Sequence, residues 1–215
     1  MKEKKLPPFI AFGGCEGSGK TTQFARLKEK FPHGVFFREP GGTDFSEKEM
    51  RRLILNSSNS GELTPFQHMC LFFCGREDNI RNIVVPALRA GKPVFADRFD
   101  CCSFAYQVFG MEGTHLHAHF DSNRLIMGPL WAQPTLYIIL DVSPEVGMKR
   151  VAERQAAKGE VNHFDKRGPD FHARVREGYK RFAELHQNRC VIIDAERSKD
   201  EVWKSIEEAI RPYFS

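Results

Sequence analysis

A glycine-rich loop near the N-terminus has residue types and a spacing that can bind phosphate. It fits the pattern G-x-x-x-x-G-K-[ST] and consists of Gly14, Cys15, Glu16, Gly17, Ser18, Gly19, Lys20 and Thr21, followed by Thr22. In such a loop the backbone N–H groups surround the β-phosphate of a nucleotide, Lys20 contacts the β and γ oxygens, and Thr21 ligates Mg2+. The loop predicts ATP or GTP as a ligand. By itself it leaves a GTPase, an ATPase, a kinase and a sulfotransferase open.

Charged residues follow each of the four other apolar runs of the chain, and those after two of the runs are candidates for binding phosphate or metal. Asp97 comes after residues 94–96 and is placed like a Walker-B carboxylate, which could hold Mg2+ directly or through water. Its neighbour Arg98 could clamp a phosphate with two hydrogen bonds. The alternative is a structural salt bridge between the two. Arg38 follows residues 35–37 in a glycine-rich turn, where it could approach a ligand or simply pair with a surface acid.

An aromatic ring and a guanidinium are paired on a predicted helix that begins after Thr64. Phe72 and Arg76 are four residues apart and therefore project from one face. The ring could stack on a base while Arg76 donates to a carbonyl edge, which suits a pyrimidine. Alternatively, Phe72 extends a core stripe formed by the apolar residues Phe66, Met69 and Phe73.

The elements that must position these residues are short apolar runs alternating with helical patterns. The runs are residues 9–12, 35–37, 94–96, 136–140 and 191–193. They predict a doubly wound α/β fold, a parallel five-stranded sheet with helices on both faces, whose ligands bind beyond the carboxyl ends of the strands. Helix starts are predicted at three capping boxes, which are Ser46 with Glu49, Thr64 with Gln67 and Ser198 with Glu201, and at Ser143-Pro144.

Composition is that of one globular domain over residues 1–215, with a polar segment at about 154–168 as a candidate lid. The net charge of +4, with both signs mixed, favours small phosphorylated ligands over nucleic acid. No apolar run approaches the ~18 residues of a membrane span, so we expect a cytoplasmic protein. The six cysteines lack paired or zinc-finger spacing and are expected to be reduced. His115, His117 and His119 could hold a metal but fit an exposed polar segment better.

Six segments, in order over nearly the whole chain, together resemble the thymidylate kinase family. They are residues 14–22, Arg38-Glu39-Pro40-Gly41-Gly42-Thr43, residues 71–76, Asp97-Arg98-Phe99 with Ala105-Tyr106-Gln107, residues 136–141 and residues 171–179. The resemblance implies ATP-dependent conversion of dTMP to dTDP with Mg2+, on the P-loop three-layer fold with a closing lid, usually as a homodimer.

The resemblance also implies roles for individual residues. Glu16 would contact the 3′-hydroxyl of the acceptor deoxyribose, Phe72 would stack on thymine, and Arg76 would read its carbonyl edge. Arg98 would hold the dTMP phosphate and Asp97 would serve the metal. The remaining residues expected at the substrate are Arg38, Glu39, Pro40, Cys102, Tyr106 and Gln107, with Tyr106 as the wall against a ribose 2′-hydroxyl.

Three departures from the family pattern matter. The loop has Gly17 where some members carry an arginine, so the lid must supply the catalytic cation, from Arg150, Arg154 or Lys158. Cys102 stands where many members have serine, which leaves open a relaxed kinase that also uses dUMP or a purine. The lid reads Asn162-His163-Phe164-Asp165 instead of Asp-Arg-hydrophobic-Glu. A GTPase switch fits less well, because the chain has no N-K-x-D motif and has Asp97-Arg98-Phe99-Asp100 in place of a D-x-x-G after its third apolar run.

Overall fold

A computed structural model describes residues 6–57, 59–129, 132–158 and 163–214, with the backbone alone for Lys158. Five parallel strands form one sheet: β1 (Phe9–Gly14), β2 (Val35–Arg38), β3 (Val94–Asp97), β4 (Leu136–Asp141) and β5 (Cys190–Asp194), in the order β2-β3-β1-β4-β5. The predicted sheet is confirmed, and each strand extends the apolar run by one or more residues. Asp97 aligns with Arg38 on one side and with Phe12 on the other, so the strand ends meet at one edge.

Eight α-helices surround this sheet in the described part of the chain. They are α1 (Lys20–Lys30), α2 (Pro65–Asn79), α3 (Val85–Arg89), α4 (Asp100–Ser103), α5 (His117–Ile126), α6 (Pro144–Lys158), α7 (Pro169–Leu185) and α8 (Lys199–Ile210). Wider π-helical turns occupy Ser46–Met50, Arg52–Asn56, Ile80–Val84 and Phe104–Gly110, and 3-10 turns occupy Ser60–Glu62, Thr114–Leu116, Gln187–Arg189 and Arg211–Tyr213. No described helix has both the length and the apolar character that crossing a bilayer requires.

Alternating side chains of the strands feed two apolar layers, one on each face of the sheet. Phe9 and Ala11 pack into the larger layer, with α2, α4 and α7, whereas Ile10 and Phe12 pack with α1 and α8. This alternation follows from the period of two along a strand. Burial of the first layer holds α7 against the segment Phe104–Gly110, which places residues of both beside the phosphate loop.

Helix starts were predicted correctly at Thr64 and Ser198, where both capping boxes form. The capping box at Ser46 is wrong. Helical structure begins before Ser46, and the Oγ1 of Thr43 accepts a hydrogen bond from the Ser46 N–H at 3.1 Å. The Ser46 hydroxyl instead donates to the Gly75 carbonyl of α2 at 3.1 Å. This side chain therefore joins two helices and does not cap one.

The core stripe predicted for α2 is partly wrong. Met69 and Phe73 are buried, but Phe66 is 47% exposed, and its ring lies 5.2 Å from that of His119. Strand β5 also differs from the expectation of cover on both faces, since Val191 and Ile192 are exposed. Val191 and Ile192 are consecutive and point to opposite faces, so both faces of this edge strand are partly open, and Ile193 is its one buried residue.

Candidate active site

The phosphate loop between β1 and α1 needs glycine at the positions where the backbone turns tightly. Gly14 and Gly17 have positive φ values of 139° and 73°. A Cβ on Gly14 would lie 2.5 Å from the Leu140 carbonyl oxygen, and a Cβ on Gly17 would lie 2.2 Å from that of Gly147. The loop is therefore wedged between β4 and α6, and any side chain at these positions would displace it.

Lys20 is anchored to the loop that precedes it. Its Nζ donates to the carbonyl oxygens of Gly14 at 2.7 Å and Cys15 at 2.9 Å, and to the Ser18 hydroxyl at 3.1 Å. Burial lowers the pKa of Lys20 to about 8, and the nearby Arg98 charge adds to this effect, while Glu16 opposes it. The ammonium is thus held at the centre of the loop, where its charge faces a phosphate.

Arg98 ties the end of β3 to the phosphate loop. Its backbone has a φ of 72°, a left-handed conformation that is uncommon for a residue with a side chain. The guanidinium donates to the Tyr106 hydroxyl at 3.3 Å and to Glu16 Oε1 at 3.3 Å, and reaches the Gly14 carbonyl at 3.5 Å. These contacts aim one arginine at the space directly in front of the loop, where a strained backbone marks a functional position.

Glu16 is buried among donors and positive charges, which explains a carboxylate in a phosphate loop. The Tyr106 hydroxyl lies 2.6 Å from both carboxylate oxygens, and Nδ1 of His172 lies 3.6 Å from Oε2, slightly beyond hydrogen-bond range. Burial acts to raise the pKa of Glu16, but His172, Arg98, Lys20 and Tyr106 together hold it well below the usual range. Glu16 is therefore an ionised hydrogen-bond acceptor.

Asp97 and Thr21 supply oxygen atoms of the kind that Mg2+ prefers. Oδ1 of Asp97 is buried and has no hydrogen-bond partner among the described residues. Thr21 is exposed at the first turn of α1, beside Lys20. Since a buried carboxylate oxygen without a partner is costly, this atom fits a cation or its bound water. The donor set is thus compatible with magnesium.

Two pockets meet in front of the loop. The first, here named the loop cleft, is lined by the loop residues 16–23, by Arg150, Glu153, Arg154 and Asp165, and by residues of α8 and of the segment between β5 and α8. The second, the rim pocket, is lined by Glu16, Arg38, Glu39, Pro40, Arg51, Leu55, Phe72, Asp97, Arg98, Cys102, Tyr106, Gln107 and Phe164. Glu16, Asp97 and Arg98 line both pockets. A ligand in one pocket therefore meets a ligand in the other at these three side chains.

Phe72 lines the rim pocket, whereas Arg76 is buried behind the residues that line it. Arg76 is only 1% exposed, and its Nε and Nη2 donate to Oε2 of Glu39 at 2.9 and 2.7 Å. Nη2 also donates to the Ser103 hydroxyl at 3.0 Å, whereas Nη1 is buried and lacks a partner among the described residues. Burial raises the pKa of Glu39 to about 7, against the effect of Arg76. Phe72 thus faces the pocket directly, and Arg76 is fixed beneath it with one free donor.

Further polar groups line the rim pocket, one of which the sequence did not single out. Gln107 is fully buried, and neither of its amide atoms has a hydrogen-bond partner in the described structure. Arg38 also lines the pocket, but its side chain is 54% exposed and pairs with Glu47. Arg51 is the residue that was missed: it donates to the Pro40 carbonyl at 2.8 Å and lines the pocket. The only sequence signal for Arg51 was its position on the predicted helix that follows the glycine-rich turn after Arg38.

The lid cations are placed differently from one another. Arg154 lines the loop cleft and its Nη2 donates to Oδ1 of the buried Asp165 at 3.2 Å. Arg150 instead donates to the carbonyl oxygens of Gly17 at 3.3 Å and Ala195 at 2.8 Å, which fixes it against the loop and the segment that follows β5. The Lys158 side chain lies outside the described residues. Asp165 and His172 are two further positions that sequence reasoning missed.

The base of the candidate lid rests on α2 through aromatic contacts. The His163 ring lies 4.0 Å from that of Phe164 and 5.4 Å from that of the buried His68, and Phe164 packs edge-on against Tyr106 at 5.4 Å. His68 Nε2 also lies 3.1 Å from the Ser60 carbonyl. Burial lowers the pKa of His68 to about 4, with a further contribution from His163.

Acid should therefore destabilise the protein through His68. The His68 ring takes up a proton below about pH 6.5 in the unfolded chain but only near pH 4 in the folded chain. The free energy of unfolding therefore decreases as the pH is lowered through this window. Between pH 7 and pH 5 we expect His68 to lower the free energy of unfolding of the wild type by about 2 kcal/mol. This decrease should be absent in His68→Gln, as measured by urea unfolding at each pH. His115→Gln, at an exposed position, is the control. An unchanged pH slope in His68→Gln would contradict this assignment.

Comparison with known proteins identifies the family of the chain. The family model described as thymidylate kinase matches residues 12–206. The thymidylate kinase of Maridesulfovibrio salexigens is 34% identical over 209 residues, covering 94% of both chains, and that of Oleidesulfovibrio alaskensis is 35% identical over 216 residues, covering 96% of this chain and 99% of the relative. The crystal structure of thymidylate kinase from Ehrlichia chaffeensis superimposes with a TM-score of 0.72 at 25% identity, over 96% of this chain and 99% of that one. The chain therefore belongs to the thymidylate kinase family of phosphotransferases.

Proposed function

We propose that this protein transfers the γ-phosphoryl group of ATP to dTMP, forming ADP and dTDP, with Mg2+ as cofactor. The observation that carries the proposal is the meeting of the two pockets at Glu16, Asp97 and Arg98. Phosphoryl transfer requires a donor and an acceptor held in line, with their charge neutralised and water kept out. A cleft built on a phosphate loop, opening directly onto a second pocket with an aromatic wall, supplies that arrangement.

The loop cleft suits ATP. Backbone N–H groups of residues 14–22 would surround the phosphates, and Lys20 would contact the β and γ oxygens. Thr21 and Asp97 would hold Mg2+, which neutralises charge on the transferring group when it is bound. Arg150 donates a hydrogen bond to the Gly17 carbonyl, so its contribution would be to stabilise the conformation of the phosphate loop.

The rim pocket suits dTMP. Phe72 would stack on thymine, and the free Nη1 of Arg76 and the unpartnered amide of Gln107 would hydrogen bond to the polar edge of the base. Arg98 would hold the phosphate of dTMP, which is the nucleophile of the reaction. Glu16, ionised and accepting only, would take a hydrogen bond from the 3′-hydroxyl. Tyr106 would be the wall that excludes a ribose 2′-hydroxyl, because its own hydroxyl is held on Glu16.

The charge that develops between donor and acceptor needs a cation from the lid. Gly17 has no side chain, so we assign this role to Arg154, which lines the loop cleft. Asp165 would orient Arg154 through its 3.2 Å hydrogen bond. Lys158 is one turn further along α6 and is the second candidate.

Substrate choice is the experiment that tests the function. We expect dTMP to be phosphorylated with a kcat/KM at least about tenfold above that for dUMP, since one well-filled methyl contact is worth roughly 1–3 kcal/mol. The values for dGMP and dCMP should be lower than that for dTMP as well, because their bases present a different polar edge to Arg76 and Gln107. A coupled assay with each monophosphate measures this ratio. Equal values would favour a relaxed deoxynucleoside monophosphate kinase, for which Cys102 in the rim pocket is the motivating residue. Hydrolysis of GTP without phosphorylation of an acceptor would contradict both.

We also propose that the enzyme works as a cytoplasmic homodimer without nucleic acid or membrane partners. The support is the family resemblance and the mixed, weakly positive charge of the chain. Sedimentation equilibrium should give twice the 24.7 kDa mass of the chain at micromolar concentration. A monomer mass at that concentration would rule out the dimer while leaving the assigned chemistry in place.

A further inference from the structure

One thiol faces the rim pocket. Of the six free cysteines, Cys102 is the one that lines the pocket in the described structure, although it is only 7% exposed. The Tyr179 hydroxyl donates to its Sγ at 3.0 Å, and the Sγ of the adjacent Cys101 lies 4.0 Å away. Cys70 and Cys74 are exposed on α2, outside the pocket.

The surroundings of Cys102 favour its thiolate. Burial acts to raise its pKa, but the Cys101 thiol, the Arg98 charge and the Tyr179 hydroxyl outweigh this effect and lower the pKa to about 6. Burial raises the pKa of Cys15 and of Cys190 to about 12, so these thiols stay protonated. Because the thiolate is the reactive species, Cys102 differs in reactivity from the other buried thiols.

The pocket around Cys102 is built to hold a ligand. Both amide atoms of Gln107 are buried and lack partners among the described residues, and Gln107 lines the same pocket as Cys102. A ligand that fills this pocket and satisfies Gln107 would compete with a reagent for the space beside the Cys102 sulfur. Access to this thiol is therefore coupled to occupancy of the pocket.

We propose that Cys102 is a modification site at which small sulfur electrophiles, thiosulfonates and disulfides of small thiols, react inside the rim pocket and are excluded by bound dTMP. The shielding rests on the proposed function, since it requires dTMP in this pocket. The reactivity rests on the position of Cys102 in the pocket wall and on its hydrogen bond from Tyr179.

The reaction with methyl methanethiosulfonate is a simple displacement. The Cys102 thiolate attacks the sulfenyl sulfur, a new S–S bond forms to the methylthio group, the S–SO2 bond breaks, and methanesulfinate leaves with the electron pair. A disulfide of a small thiol reacts in the same way, with a thiolate as leaving group. A dithiol reductant reverses the step by thiol–disulfide exchange and restores the free thiol.

The product should remain a mixed disulfide. Cys101 and Cys102 are consecutive residues of α4, so their Cα atoms are ~3.8 Å apart, closer than the ~4.4–6.8 Å that disulfides span. Resolution by Cys101 would require α4 to unwind, and α4 carries Asp100, whose carboxylate is hydrogen bonded to Arg124 at 2.7 Å. The added group therefore stays in the pocket and blocks the acceptor.

The test uses a Cys70→Ser/Cys74→Ser background, which removes the two exposed thiols. The protein is treated with methyl methanethiosulfonate at pH 7, alone, with dTMP at about 100 times its Kd, or with ATP, and the label is mapped by mass spectrometry. We expect the label on Cys102, loss of kinase activity at the same rate, and recovery with dithiothreitol. Since about 1% of pockets are then free, dTMP should slow labelling by up to about 100-fold, and ATP by less than twofold.

Two single variants in the same background complete the test, each normalised to its own untreated activity. Cys102→Ser should lose sensitivity to the reagent, whereas Cys101→Ser should keep it. Labelling of Cys15 or Cys101 in place of Cys102, or persistent sensitivity of Cys102→Ser, would overturn the proposal. Labelling of Cys102 that dTMP does not slow, in protein that phosphorylates dTMP, would overturn the shielding. Absence of dTMP phosphorylation in untreated protein would instead refute the proposed function, and Cys102 labelling is read independently of it.

Discussion

Replacing Arg98 by alanine should lower kcat/KM for dTMP by at least about 100-fold and leave the Kd for ATP within about threefold. The guanidinium is the charged group aimed at the junction of the two pockets, and removing one partner of a buried charge-assisted contact costs roughly 2–5 kcal/mol. ATP would be held by the loop amides and Lys20, whereas Arg98 reaches the loop through the Glu16 carboxylate at 3.3 Å and the Gly14 carbonyl at 3.5 Å. Steady-state kinetics with dTMP varied, together with equilibrium binding of ATP, measure the two quantities.

Two further variants separate the role of Arg98 in the site from a general effect of lost charge. Arg98→Lys keeps a positive charge beside Glu16 but loses the two-pronged geometry, so we expect an intermediate loss. Arg181→Ala removes an exposed arginine on α7 and should behave as the wild type. Parallel losses of dTMP use and ATP affinity in Arg98→Ala would refute its assignment to the acceptor.

Replacing Arg154 by alanine should lower kcat by about 10^3-fold or more, with a small change in the KM for either nucleotide. An arginine that reaches the transferring phosphoryl acts mainly in the transition state, and such residues are worth ~10^3–10^5 in rate in P-loop chemistry. Gly17 offers no alternative cation in the loop, and Arg150 is engaged with the Gly17 and Ala195 carbonyls. Rapid-quench measurement of the chemical step distinguishes this loss from slower product release.

Asp165→Asn provides the matched variant for Arg154. It keeps a hydrogen-bond acceptor but removes the charge that orients Arg154, so we expect a smaller loss of kcat than in Arg154→Ala. The double variant should be no worse than Arg154→Ala alone, because Asp165 is assigned to act through Arg154. A larger loss in Lys158→Ala than in Arg154→Ala would transfer the catalytic role to Lys158.

The sheet and the phosphate loop could be predicted from the sequence because their signals are local. Each strand is a short apolar run, and the loop needs its glycines at fixed positions. The rule that ligands bind at the carboxyl ends of parallel strands then predicts that Asp97 and Arg98 lie beside the loop. The register of Asp97 with Phe12, the last residue before the loop glycines, is what makes this rule work here.

The rest of the site depends on contacts between distant parts of the chain. His172 lies on α7 and reaches Glu16 only because α7 packs on the segment Phe104–Gly110. Asp165 meets Arg154 across the lid turn, and nothing in their spacing indicates this pairing. The prediction that Phe66 belongs to the core is wrong, because helical periodicity identifies the residues on one face of a helix but does not show which other residues pack against that face.

The most direct test is a crystal structure with dTMP and a non-hydrolysable ATP analogue. We predict thymine stacked on Phe72, the dTMP phosphate on Arg98 between the two pockets, the analogue's phosphates in the loop, and Arg154 contacting its γ-phosphate. Thymidine bound outside the rim pocket, or a dTMP phosphate without contact to Arg98, would contradict the assignment of these two pockets to donor and acceptor.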